Sequence, residues 1–338
     1  MARRYHVLDG VRGVAAGAVL LLHAYVNAAP ARLASAVDIF YLLSGFVIAD
    51  AYEQRIRTEG PWPFMLARLQ RLYPMFLIGL AILPAYLLWY RMLGGAWVVS
   101  PSELVESVGL NSLYIPTHLT IPGAWGQGML FALDGPAWSL MFEMMANIIF
   151  AFLLPWLTNR VLVVIVAASA VGLVMLHFRG GYNVGFSWQT ARWAIPRVGY
   201  SFSLGVLMWR ARLPLIAASP WFVLALTALA LIAPPTATIL IGGPLILLLG
   251  RRFDDFPGAR VLGLLGALSY PLYAIHVPLL NILAWNFEAH RISGWWVAPF
   301  WMIVCAGFAY AALKLWDEPA RRWLAARRRA RTEELVSP

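Results

Sequence analysis

Long apolar runs alternate with short polar breaks along the whole 338-residue chain. Several runs approach the roughly 20 residues that a membrane-crossing helix requires. Ten segments are expected to cross, at about 8–28, 36–53, 73–90, 136–157, 161–178, 191–209, 216–233, 236–250, 262–285 and 295–316, the eighth being short. The expected fold is all-α, a polytopic transmembrane helical bundle of about ten spans with both termini cytoplasmic. No small-residue cleavage site closely follows the first run, which therefore reads as a retained helix rather than a signal peptide. Two connections are long: residues 54–72 and the Gly- and Pro-rich outer segment 91–135. Within the latter, Ser102–Val108 reads as a short interfacial helix started by Pro101, and Pro122–Gly128 as an irregular cover over an outer opening. No internal repeat is visible. The organisation is one integral membrane domain, 1–320, and a basic cytoplasmic tail, 321–338.

Composition agrees. The chain is 61% hydrophobic and 12% charged, with mean hydropathy +0.70; soluble domains carry about twice that charged fraction. Its net charge of +10 would suit nucleic acid, but the distribution of charge argues for topology instead. With the N-terminus inside, cytoplasmic segments and span ends hold 19 of the 26 basic residues and outer segments and span ends five: Arg32, Arg91, Arg179, Arg192 and Arg291. Arg12 and Arg197 fall further inside spans. That asymmetry is the positive-inside pattern, and it makes the lipid bilayer, not nucleic acid, the partner of the basic charge. All but one of the basic residues are Arg, the exception being Lys314, a bias of GC-rich bacterial genomes. The expected location is a bacterial inner (plasma) membrane, multi-pass. A single cysteine, Cys305, excludes disulfides within the monomer and cysteine-rich metal sites, and reads as a small buried hydrophobe. There is no phosphate-binding Gly-x-x-x-x-Gly-Lys loop, no His-Glu-x-x-His, no metal-ligand cluster and no Gly-x-Ser-x-Gly elbow.

Against this apolar background the polar residues stand out. Arg12 and His23 are eleven residues apart on the first span, so they share one helical face, about 16 Å apart along the axis. Inside lipid such groups are costly unless they line a cavity or meet partners. The structural alternative has Arg12 snorkelling to the inner headgroups and His23 near the outer end. Gly13-xxx-Gly17 beside them permits close helix packing. Arg68 and Arg71, three apart below the third span, suit either the phosphates of a cytosolic ligand or anionic lipid, and their spacing does not choose. Ser139, Glu143 and Asn147 form an i, i+4 stripe on the fourth span; a carboxylate buried there must be paired, protonated or wet. Ser269, Tyr273 and His276 share a face of the ninth span, where Pro271 and Pro278 free backbone carbonyls. Asp38, with Ser44-Gly45 further along, adds a candidate acid near the outer face. His6, His118, His177 and His290 fall near loops and read as incidental.

Together these motifs resemble the acyltransferase-3 family of integral membrane acyltransferases, along nearly the whole chain. Leu8-Asp9-Gly10-Val11-Arg12-Gly13 with His23 is similar to the family's Arg-then-ten-residues-then-His motif. Asp38-Ile39-Phe40-Tyr41-Leu42-Leu43-Ser44-Gly45-Phe46 resembles its second-span signature, with Tyr41 where a second Phe is more usual. Arg68-Leu69-Gln70-Arg71-Leu72-Tyr73-Pro74 is similar to its cytoplasmic Arg-x-x-Arg block. Trp138-Ser139-Leu140 with Glu143, and Ser269-Tyr270-Pro271-Leu272-Tyr273 with His276-Val277-Pro278, resemble two later blocks. The chain resembles the stand-alone kind, without the hydrolase-like periplasmic domain that some members carry.

The resemblance implies transfer of an acyl group, acetyl being favoured, from acyl-CoA to a hydroxyl of a glycan, glycolipid or related acceptor. Acyl-CoA, with acetyl-CoA favoured, is then a co-substrate, and no cofactor is bound permanently. Arg68 and Arg71 are implied to bind the CoA phosphates. His23 is the expected base, since a neutral imidazole can take a proton from an acceptor hydroxyl. Arg12 is expected to hold the donor or stabilise negative charge, and Glu143 to orient His23 or relay a proton. Asp38, Ser139, Asn147, Tyr273 and His276 are expected along the substrate passage. A transporter or flippase for a glycan-lipid is the rival reading, because polar residues on several spans also suit a translocation path.

Overall fold

The computed structural model describes residues 5–25, 29–121, 128–179, 181–214, 216, 218–250, 256–324 and 326–327. In chain order the helices are α1 (His6–Ala24), α2 (Ala36–Glu59), α3 (Pro61–Met92), α4 (Pro101–Ser112), α5 (Ala137–Leu153), α6 (Asn159–Phe178) and α7 (Ala194–Arg210). There follow α8 (Pro220–Ile232), α9 (Pro235–Gly250), α10 (Ala259–Ala289) and α11 (Val297–Leu324). Among the described residues, the one departure from helix and loop is an isolated antiparallel bridge, Met129–Ser187.

Each apolar segment read from the sequence falls on a helix. Among the described residues six helices are long and apolar enough to cross a membrane: α1, α2 with the turn before it, α3, α6, α10 and α11. α5, α8 and α9 are shorter apolar helices, and α7 carries the buried Arg197. Side-chain contacts sort the helix ends. At one end Tyr5 bonds Asp50, and Arg210 bonds Glu53, Leu157 O and Asn159. At the other, Arg32 bonds Ile232 O and His177 meets Thr236. The first is called here the Arg-rich end.

Without a hydrophobic drive between helices in lipid, packing depends on close backbone approach at small residues. α2 and α7 cross at two facing glycines. A Cβ on Gly45 would lie 2.1 Å from Phe202 O, and one on Gly205 would lie 2.2 Å from Leu42 O. The expected packing role of Gly13 holds, since a Cβ there would meet Leu265 Cβ at 2.6 Å; Gly17, by contrast, meets nothing within 4 Å. α10 continues through Pro271 and Pro278. The missing N–H of Pro278 frees Ala274 O, and α3 closes onto that carbonyl at Gly79.

The short helix expected at Ser102–Val108 is present as α4, which is longer at its C-terminal end. It starts with a capping box between Ser100 and Glu103 and folds back along α3, so that Ser112 O accepts from Tyr73 Oη at 2.8 Å. Tyr114, held at φ 58°, then stacks on Phe76 with ring centroids 4.3 Å apart. Tyr73 and Phe76 belong to the half of α3 nearest the Arg-rich end, so α4 runs back along α3 toward that end. The chain returns by pairing Leu130 N with Phe186 O and Trp188 N with Gly128 O. Residues 122–127 of the expected outer cover lie outside the described residues. One feature differs from the sequence reading: Arg321, expected at the start of a solvated juxtamembrane helix, lies on the continuation of α11 to Leu324 and lines a cavity of the bundle. Residues 328–338 of the basic tail lie outside the described residues.

Candidate active site

α1 and α10 pack side by side and bring His23 and His276 together. His276 Nε2 lies 3.1 Å from His23 Nδ1. His276 Nδ1 faces two acceptors, Tyr273 O at 2.9 Å and Leu272 O at 3.1 Å, so it carries the proton and Nε2 offers its lone pair. His23 Nδ1 likewise faces two acceptors, that lone pair and Val19 O at 2.9 Å. It therefore carries the proton, and neutral His23 has its basic lone pair on Nε2.

Two cavities lie back to back along the face of α1. The one nearer the Arg-rich end is lined by Arg12, Arg68, Arg71 and Arg321, against two carboxylates, Glu143 and Asp317. Arg68 Nη2 donates to Glu143 Oε1 at 2.6 Å, and Ser44 Oγ donates to the same oxygen at 2.7 Å. Arg321 pairs with Asp317 at 2.6 Å. Among the described residues, Arg12 and Arg71 make no ion pair or hydrogen bond. The cavity thus holds four cations against two anions, an arrangement suited to an anionic occupant. The second cavity is lined by His23, Trp138, Asn183, Phe186, Arg197 and Met129, among others. Val37 and Tyr273 line both. Tyr273 Oη meets Ser139 Oγ at 2.6 Å, and Ser139 O accepts from Tyr41 Oη at 3.1 Å. That chain forms the partition.

The expected site residues therefore divide. Arg12, Arg68, Arg71, Glu143, Ser139 and Tyr273 surround the Arg-rich cavity; His23 lies across the partition with Tyr273, and His276 stands behind it. Glu143 Oε1 accepts from both Ser44 and Arg68 on the Arg-rich side, whereas the side chain that meets His23 Nδ1 is His276. Asp38 forms a buried ion pair with Arg197 at 2.6 Å. Arg197 also donates to Ala34 O and Val184 O and stacks over Trp138, so the pair ties α2 and α7 to the 182–184 loop. Asn147 is fully buried beyond the Arg-rich cavity, with its Nδ2 on Met144 Sδ.

Sequence reasoning did not single out Asp134, Tyr114, Asp317 or Arg321. Asp134 is fully buried, 3.2 Å from where a Cβ on Gly79 would stand, and neither carboxyl oxygen has a hydrogen-bond partner among the described residues. Its one signal is its place in the loop immediately before α5. Among the described residues no group of three or more His, Cys, Asp or Glu is placed to hold a metal.

Comparison with known proteins gives the same answer as the motifs. An acyltransferase domain family matches residues 5–314. The chain is 36% identical over 183 residues to protein 2 in the picA locus of Rhizobium radiobacter, covering 51% of this chain and 94% of that protein. It is 27% identical over 309 residues to BcsY of Komagataeibacter xylinus, named as a candidate membrane-bound transacylase, covering 80% of this chain and 72% of that one. No solved structure matches. A multi-pass helical chain matched from residue 5 to residue 314, with the family's motifs gathered around two adjoining cavities, belongs to the acyltransferase-3 family of membrane acyltransferases.

Proposed function

We propose that the protein moves an acetyl group from acetyl-CoA to a hydroxyl of a glycan or glycolipid. In this reading it crosses a bacterial inner membrane about ten times, as one domain, with the Arg-rich end and both termini in the cytoplasm. The observation that carries the proposal is the pair of cavities: unpaired guanidiniums on one side, an oriented imidazole on the other, and one shared wall at Val37 and Tyr273.

The chemistry follows from that division. A thioester is a good acyl donor and a neutral hydroxyl a poor nucleophile, so the site must supply a base, alignment and charge stabilisation. Arg71 and Arg12, with Arg68 fixed by Glu143, hold the donor's phosphates at the cytoplasmic side. The pantetheine arm passes the partition and presents the thioester to His23. The acceptor hydroxyl enters from the outer cavity, and His23 Nε2 takes its proton as the oxygen attacks the acyl carbonyl. His276 Nε2 accepts from His23 Nδ1–H and so steadies the imidazolium that forms. The C–S bond then breaks, and the leaving thiolate takes the proton back from His23. The phosphates and the base need never share a compartment, which supports direct transfer across the bundle. A flippase needs one continuous path, and the wall at Tyr273, like the family match, favours transfer.

Mass spectrometry of surface glycans and glycolipids from a null strain tests this. An acetyl-sized mass should vanish in the null strain, return with the wild-type gene and fail to return with His23→Ala. No mass change in any strain would reject the proposal.

A further inference from the structure

The Arg-rich cavity has a contributor that the mechanism above does not use. Between Leu313 and Asp317, α11 widens into a π-helical turn, which re-aims the side chains that follow it. Trp316 in that turn donates Nε1–H to Pro74 O on α3 at 3.1 Å, clamping this stretch close to Arg71 and turning Asp317 inward, where it is 2% exposed. Asp317 and Arg321 both line the cavity. Asp317 Oδ2 takes Arg321 Nη2 at 2.6 Å, while Oδ1 is buried without a hydrogen-bond partner among the described residues. Arg71 lines the same cavity.

Resting on the phosphate-bearing donor of the proposed function, we infer that Arg321 is a further guanidinium of the donor site and that Asp317 is its built-in counter-anion, releasing Arg321 to an incoming phosphate. A carboxylate paired with a cation of an anion site occupies the ligand's electrostatic place. The i, i+4 pair it makes with Arg321 is partly open to solvent and so weakly held. A phosphate offers more acceptor oxygens and more charge than the single carboxylate oxygen it displaces. Arg68 differs, because Glu143 and the surrounding burial fix it in place whether or not the donor is present. A simple helix-end ion pair would not account for the inward turn of Asp317 or for its orphaned Oδ1.

Calorimetric titration of coenzyme A into the purified full chain in nanodiscs tests the assignment. Wild type should bind, and Arg71→Ala should lose binding. Arg321→Gln should weaken binding about tenfold, the loss of one charge-assisted bond, whereas Asp317→Asn should tighten it. Those opposite signs separate a competing counter-anion from a structural pair, which either variant would disturb in the same direction. If Arg71→Ala loses binding but Arg321→Gln matches wild type, or Asp317→Asn fails to tighten binding, this inference falls and the donor reading stands. If wild type does not bind coenzyme A, the donor reading falls and takes this inference with it.

Discussion

His276 Nε2 stands 3.1 Å from His23 Nδ1, across 253 residues of sequence. The contact sets the tautomer of His23 through a neutral partner, where many acyl-transfer sites use a carboxylate. His276→Ala should therefore lower kcat about 10- to 100-fold, in line with the loss of other orienting partners, while leaving the KM for the acyl donor nearly unchanged. His276→Gln should recover part of the rate, because its amide oxygen can accept from His23 Nδ1. Equal loss in both variants would show that the imidazole of His276 does more than accept.

Tyr273 is the wall between the donor's phosphates and His23. Removing its ring by Tyr273→Ala joins the two cavities and admits water from the Arg-rich side to the thioester. The expected result is acyl-CoA hydrolysis that no longer needs acceptor, measured as free thiol release without acceptor present. Tyr273→Phe keeps the ring and should keep the coupling. A Tyr273→Ala protein that releases thiol only with acceptor would contradict the partition.

The Asp38–Arg197 pair is buried, and its polar atoms are satisfied by backbone carbonyls as well as by each other. Breaking such a pair from one side costs about 3–5 kcal/mol, because the remaining charge is left uncompensated. Asp38→Asn and Arg197→Ala should each lower the melting temperature in nanodiscs well beyond any surface substitution. Unchanged melting in either would mean that the pair does not hold α2 to α7.

Asp134 lies between α4 and α5, and burial pushes its carboxyl well above the usual carboxylate range. The folded protein keeps that proton where the unfolded chain, with a pKa near 3.9, has lost it, so its contribution to stability falls as pH rises above about 4. Asp134→Asn removes the titration. Its stability advantage over wild type should be small at about pH 4.5 and grow toward about pH 7.5; a pH-independent difference in melting temperature would refute the assignment.

Much of this was legible in the chain. The apolar runs are long enough that hydropathy alone finds the helices, and one-face spacing finds Arg12 with His23 and Ser139 with Glu143. What sequence could not supply is which faces meet. The His23–His276 pair depends on how Gly13 seats α1 against Leu265, a contact that no local pattern encodes. Asp38 reads as a lone acid until α7 delivers Arg197. α4 reads as a short helix from its half-polar twelve residues, but nothing local shows that its buried Asn111 would meet Thr117. Arg321 reads as part of a solvated basic tail, since the π turn that swings it inward leaves no mark in the periodicity.

The central claim is that His23 removes the acceptor's proton on the far side of a partition from the arginines. The most direct measurement is acetyl transfer from isotopically labelled acetyl-CoA by the purified protein in nanodiscs, with a glycolipid extract of its own bacterium as acceptor. His23→Ala should lose at least about 100-fold in transfer rate, the usual contribution of a general base, while binding coenzyme A as wild type does. Transfer by His23→Ala at the wild-type rate would contradict the account.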